Sequence, residues 1–228
     1  MKVTIIGAGN MGGAIARGLA KGTIVGAADI TVSDPSEKIL QQLHQEFPDM
    51  LVLTDNRVAV SEADFVVVAV KPWLMKSVLA ELPLQPHQVL VSVAAGITFD
   101  QLVEYTAAPE QTMFRLVPNT AMSQLESMTL IASRLATPEH ERLMVEIFNE
   151  MGLAMLVPES QIAATTALTS CGIAYVLKYI QAAMQAGVEM GLYPKDAQRM
   201  VAQSVKGAAA LILNNDTHPS VEIDKVTT

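Results

Sequence analysis

The residues with chemistry to offer stand at the start of the chain. Gly7, Gly9 and Gly12 are spaced G-x-G-x-x-G, with Ala8, Asn10 and Met11 between them. A phosphate needs bare backbone: Gly7 permits a tight turn, Gly9 lets the main chain approach a pyrophosphate, and Gly12 lets a helix pack close on a strand. The flanks agree. The β-prone Val3–Ile6 run into the glycines, and Met11, Ile15 and Leu19 follow at helical spacing. The N–H groups and positive end of that helix would face the anion. The bland alternative is a glycine-rich turn that binds nothing.

The ribose end is read next. A strand predicted over Ile30–Ser33 ends at Asp34, flanked by Ser33 and Ser36. In dinucleotide folds an acidic residue roughly 20 residues past the glycines bonds the ribose 2′-hydroxyl of NAD, and small polar or basic residues take the 2′-phosphate of NADP. Asp34 favours NAD, while Ser33, Ser36 and Lys38 could cradle a phosphate. Asp34 could also merely cap the helix beginning at Pro35. NAD and NADP both stay open.

The elements that position these residues alternate. Strands are predicted at Val3–Ile6, Ile30–Ser33, Leu51–Thr54, Asp64–Val70, Gln88–Val93 and Met113–Val117, with helical patterns between them. The unbroken apolar character of Asp64–Val70 fits a strand covered on both faces. The class is α/β: a Rossmann-type, doubly wound, mainly parallel sheet, followed by an all-helical C-terminal domain. Ligands in such sheets sit at strand carboxyl ends. The candidate positions are therefore Gly7–Gly12, Ser33 and Asp34, Ala69–Pro72, Ala94–Gly96, and Pro118 with Asn119. Thr137 opens a helix ending near Gly152, and Met155–Pro158 is a last strand before the boundary. Residues 1–158 form the dinucleotide domain, and residues 159–228 a helical substrate and dimerisation domain.

Composition narrows the class. The chain has 228 residues, half of them apolar, and a net charge of −8. That bulk supports a sizeable core. The acidic balance argues against a general nucleic-acid partner. No apolar run is expected to reach the roughly 18 residues that span a bilayer, so no membrane role is expected. The start reads as a strand rather than a secretory leader. With a single cysteine, Cys171, no internal disulfide can form, and a cytoplasmic location is expected. The four histidines lie far apart, so no metal site is expected.

Three further strand ends, Ala69-Val-Lys-Pro72, Ser92-Val-Ala-Ala-Gly-Ile-Thr98 and Arg115-Leu-Val-Pro-Asn-Thr120, raise the specificity. With Gly7–Gly12 they resemble the pyrroline-5-carboxylate reductase family. The resemblance continues through Ala167–Tyr175, Gly207-Ala-Ala and His218–Thr228, and so covers the whole chain. It implies reduction of the C=N bond of 1-pyrroline-5-carboxylate by NADPH or NADH, giving L-proline. It also implies a homodimer or higher homo-oligomer built by the helical domain around the substrate. The resemblance places the pyrophosphate on Gly9, Asn10, Met11 and Gly12, and Asn56 near the adenosine ribose. Ala69, Lys71 and Pro72, with Ala94, Ala95 and Gly96, line the nicotinamide half. Val226, Thr227 and Thr228 match the front of the substrate loop, with a hydroxyl near the imine nitrogen, and Asp216 matches an acidic position near the proton path.

Two departures stand out. The chain stops at Thr228, before the family's Pro-Gly-Gly segment, which reads as a truncated, weakly active form. Thr169-Ser-Cys-Gly-Ile-Ala-Tyr175 replaces the usual Ser-Gly-Ser-Gly-Pro-Ala-Tyr, which puts substrate contacts from this turn in doubt. Lys71 reads as a positioning cation, Cys171 as a packing residue, and Asp216 as either a functional carboxylate or a turn residue. Two other classes remain open: a β-hydroxyacid dehydrogenase and a non-catalytic NAD(P)-binding sensor or assembly subunit. The dehydrogenases place an asparagine four residues after a lysine; here Ala182 follows Lys178.

Overall fold

Unbroken apolar runs become the central strands. Val3–Ile6 (β1), Phe65–Val68 (β4) and Val89–Ser92 (β5) are buried at every position, as strands covered on both faces must be. The computed structural model describes residues 1–227; Thr228, assigned above to the substrate, lies outside the described residues. Ile30–Ser33 (β2), Leu51–Leu53 (β3), Met113–Val117 (β6), Ser127–Arg134 (β7) and Gly152–Leu156 (β8) complete an eight-stranded sheet in the order β3-β2-β1-β4-β5-β6-β7-β8. Every pairing is parallel except β6 with β7.

Side-chain alternation sends successive strand residues to opposite faces. Val3, Ile5, Phe65 and Val67 join one core with Ile15 and Leu19 of α1 (Asn10–Lys21), Leu43 of α2 (Glu37–Glu46) and Phe148 of the helix Pro138–Asn149. Ile6, Val66 and Val68 join the other with Ala59 of α3 (Asn56–Ala59), Met75 and Leu79 of α4 (Met75–Glu81) and Leu102 of α5 (Phe99–Thr106). The helix α6 (Pro138–Asn149) starts where the sequence implies: Thr137 accepts the N–H of His140 at 3.2 Å.

Strand β7 is absent from the sequence reading. Ser127 and Thr129 resemble loop residues, yet both are buried. Ser127 Oγ accepts the N–H of Asn119 at 3.1 Å and shares a bond with Thr129 Oγ1, so burial leaves neither hydroxyl unpaired. Strand β8 begins three residues earlier than Met155–Pro158 implies. Gly152 opens it at φ +136°, where a Cβ would collide with the backbone of Ser127.

The chain divides into two compact units, Met1–Cys171 and Gly172–Thr228. The sequence reading divides it at 158 instead. The next helix, α7 (Ile162–Thr169), packs on β7, and its Ile162 is buried in the second core, which ties it to the first unit. The second unit comprises α8 (Gly172–Glu189), α9 (Pro194–Asn215) and α10 (Pro219–Thr227). Gly187 packs on Ala197 and Leu192 where α8 and α9 form a hairpin. Contrary to the sequence expectation, the 31-residue stretch Glu159–Glu189 is long and apolar enough, by length and composition, to cross a membrane. Interspersed threonines and glutamines mask that apolarity in a plain reading, and α7 and α8 meet within it at Ser170 and Cys171.

Candidate active site

A groove of about 1260 Å³ opens at the carboxyl ends of the parallel strands. It lies where the chain leaves β1 and β4 toward opposite faces, the position that binds ligands in doubly wound sheets. Gly7 turns the chain out of β1 at φ +94°, and its N–H donates to the carbonyl of Ser33 at 2.7 Å. A Cβ at Gly7 would stand 2.9 Å from the carbonyl oxygen of Ala69, so the two strand ends approach closely only without a side chain. A Cβ at Gly12 would fall on the carbonyl oxygen of Gly7. Helix α1 therefore rests directly on the turn. A Cβ at Gly9 would meet nothing, so the backbone there is open to a ligand. No side chain caps α1 and no acid stands in its first turn, which leaves its N-terminal N–H groups and dipole available to an anion. These features fit a dinucleotide pyrophosphate.

Asp34 follows β2 at the groove's edge. Its Oδ2 accepts the Ala8 N–H at 2.7 Å and its Oδ1 accepts the Ser36 N–H at 2.8 Å. The carboxylate thus ties the glycine turn to the end of β2, and Ser36, not Asp34, is the cap residue of α2. Ser33 is fully buried and donates its hydroxyl to Asn56 Oδ1 at 2.8 Å. On α1, Arg17 pairs with Glu46 of α2 through Nε and Nη2, at 2.6 and 2.8 Å. The Arg17 hydrogen bond holds the Glu46 carboxyl below the usual carboxylate range.

Of the residues assigned to the cofactor, Gly7, Gly9, Asn10, Met11, Ser33, Asp34, Asn56, Ala69, Lys71, Pro72, Ala94 and Ala95 line this groove. Gly12 and Gly96 do not: Gly12 is buried beneath the turn, and Gly96 sits beyond the lining at φ +78°. Lys71 is exposed and begins the turn Pro72–Leu74.

Residues 159–228 match the family described as pyrroline-5-carboxylate reductase dimerisation, and residues 2–96 match NADP oxidoreductase coenzyme F420-dependent. The chain is 36% identical over 233 residues to the pyrroline-5-carboxylate reductase of Methanosarcina acetivorans, covering 99% of this chain and 84% of that one. The chain belongs to the pyrroline-5-carboxylate reductase family. It is 33% identical over 240 residues to pyrroline-5-carboxylate reductase 1 of Dictyostelium discoideum, covering 99% of this chain and 43% of that longer relative. Among solved structures, the pyrroline carboxylate reductase of Plasmodium falciparum with NADP bound superposes at a TM-score of 0.89 and 26% identity, covering 100% of this chain and 84% of that one. The family uses a nicotinamide dinucleotide, and the segment matched to dimerisation, residues 159–228, contains the apolar stretch Glu159–Glu189.

In this member of the reductase family, the remaining site candidates lie at the ends of the helices α9 and α10. Asp216 takes φ +50° and ends α9, its N–H donating to the carbonyl of Ile212 at 3.2 Å. Val226 and Thr227 stand in the last turn of α10 rather than in a loop, and the Thr227 hydroxyl bonds back to the carbonyls of Ile223 and Asp224. Sequence reasoning missed Gln42, Thr54, Met122 and Ser123 in the groove lining. The last two lie on the turn Thr120–Gln124 after β6, beyond the strand-end signal that ended at Asn119. Asn119 itself is buried. It accepts the Ala121 N–H and donates from Nδ2 to the carbonyl of Thr169 at 3.4 Å.

Proposed function

We propose that this groove reduces 1-pyrroline-5-carboxylate to L-proline, with the dinucleotide laid along Gly7–Met11 and its nicotinamide toward Ala69–Pro72 and Ala94–Ala95. The observation that carries the proposal is the open, uncapped glycine turn facing the same groove as those two strand ends. When bound, the reduced nicotinamide supplies the hydride. Apart from delivery of a proton, the protein's task is positioning. Asn10 and Met11 at the start of α1 offer backbone N–H groups to the pyrophosphate, and Gly12 keeps α1 seated beneath it. The small side chains of Ala69, Ala94 and Ala95 leave a flat wall, with Gly96 setting the turn beyond it. Lys71 adds a positive charge at that end of the groove.

A cyclic imine protonates readily and its iminium is already an electrophile, so orientation carries most of the catalysis. Thr227 and Thr228, following Val226, are proposed to offer hydroxyls to the substrate carboxylate and imine nitrogen. Thr227 can do so after releasing the Ile223 and Asp224 carbonyls. Asp216 is proposed as the acid of the proton path. Two copies pair as a homodimer through the helical segment 159–228. The single cysteine, which can form no internal disulfide, supports a cytoplasmic location. The hydroxyacid reading is not favoured: Lys178 bonds Gln181 at 2.8 Å on its own helix, and Ala182 cannot orient a hydroxyl.

The test follows absorbance at the nicotinamide band with pyrroline-5-carboxylate, with 3-hydroxyisobutyrate, and with neither. Consumption of reduced cofactor only with the imine is the expected result. Turnover only with the hydroxyacid would overturn the proposal.

A further inference from the structure

We infer that Asp34 makes this chain select NADH over NADPH. The inference rests on the dinucleotide role proposed for the groove and concerns its ribose end. Asp34 is half-buried at the groove edge and is fixed by two backbone donors, Ala8 at 2.7 Å and Ser36 at 2.8 Å. Swinging the carboxylate away would strip both N–H groups of their acceptor, so its charge stays where the adenosine ribose must lie. A ribose 2′-hydroxyl can donate to a carboxylate. A 2′-phosphate carries its own negative charge and is repelled at that distance.

The polar groups nearest Asp34 that could hold a phosphate are already engaged. The Ser33 hydroxyl is committed to Asn56 and the residue is fully buried. The Ser36 N–H is committed to Asp34 itself. Arg17 faces the groove but is held by both oxygens of Glu46, and that same carboxylate feels the charge of Lys21. Lys38 is exposed on α2 and is not part of the groove lining. Lys21 lines the groove further along α1, beside Glu46, so the fixed charge at the end of β2 itself is that of Asp34. The relative from Plasmodium falciparum was solved with NADP bound, so the inference concerns this chain's own residues, not the family.

The experiment measures dissociation constants of the full chain for NADH and NADPH by calorimetry over a salt series, in the natural protein and in Asp34→Asn. The amide of that variant keeps one oxygen acceptor for the glycine turn and removes the charge. NADH is expected to bind about tenfold more tightly than NADPH at low salt, with the gap closing as salt screens the repulsion. Asp34→Asn should tighten NADPH by about tenfold and weaken NADH only a few-fold. NADPH binding as tightly as NADH in the natural protein would overturn the inference. So would a gap indifferent to salt, which needs no variant to fold, or an equal loss of both ligands in Asp34→Asn, the mark of a purely structural carboxylate. If neither dinucleotide binds the natural protein, the reading of the groove falls and takes this inference with it.

Discussion

The two units bury their apolar residues in different ways. In Met1–Cys171 the apolar strands are closed on both faces, and Ile5, Val66, Leu90 and Phe114 are essentially inaccessible. In Gly172–Thr228 the helices are equally rich in apolar residues, but Tyr175 is 66% exposed, Tyr179 62% and Leu213 74%. A sheet between two helix layers completes its own core. These three helices leave large apolar side chains exposed, and residues 159–228 match a family described as one of dimerisation. On the reading proposed above, the first unit holds the ligand and the second meets another copy.

The sharpest break of this contrast is at Gly152. Gly152→Ala forces a side chain into the left-handed region and onto the Ser127 backbone. A loss of about 4 kcal/mol or more is expected, read by urea denaturation. Gly207 in the second unit has open space where its Cβ would stand, so Gly207→Ala should not lower the stability of the isolated chain. Next in size, Gly12→Ala pushes α1 off the glycine turn. Dinucleotide affinity should fall roughly 100-fold, about 2.7 kcal/mol, in calorimetric titration, while the oligomer persists.

The reverse pattern is expected from the double change Tyr175→Asp with Tyr179→Asp, one turn apart on α8. Sedimentation should show dissociation to monomers, with dinucleotide binding to the first unit reduced no more than a few-fold. Equal damage to both functions would erase the distinction between the units. A smaller effect belongs to Glu159, which accepts from Arg115 at 2.5 Å and from the Phe99 N–H at 2.8 Å. Glu159→Gln leaves the nearly buried Arg115 without its counter-charge and should cost about 1 kcal/mol, since Glu159 is itself partly solvated.

The smallest effect is a pH dependence. Arg17 lowers the folded-state pKa of Glu46 below its ordinary 4.5, so its stabilisation is complete above that value and is lost as pH falls through the lowered one. Arg17→Met should flatten the melting temperature against pH in that acid range.

Much of the first unit was legible in the chain. Val3–Ile6 and Phe65–Val68 are unbroken apolar segments, and Gly7–Gly12 leaves few backbone choices. Strand β7 was not legible, because Ser127 and Thr129 are buried only by virtue of hydroxyl partners that lie elsewhere in the fold. The groove residues Met122 and Ser123 were missed for a related reason, since they belong to a turn whose position depends on the antiparallel return of β7.

By itself, the sequence determined the α/β alternation, the glycine turn and the family, because backbone freedom and side-chain periodicity are local properties. Only the tertiary structure decided that Asp34 is pinned by Ala8 and Ser36, that Arg17 is spent on Glu46, and that Gly12 supports the site from beneath rather than lining it. Those outcomes depend on which groups far apart in the chain come within hydrogen-bonding distance, and spacing along a sequence does not encode that.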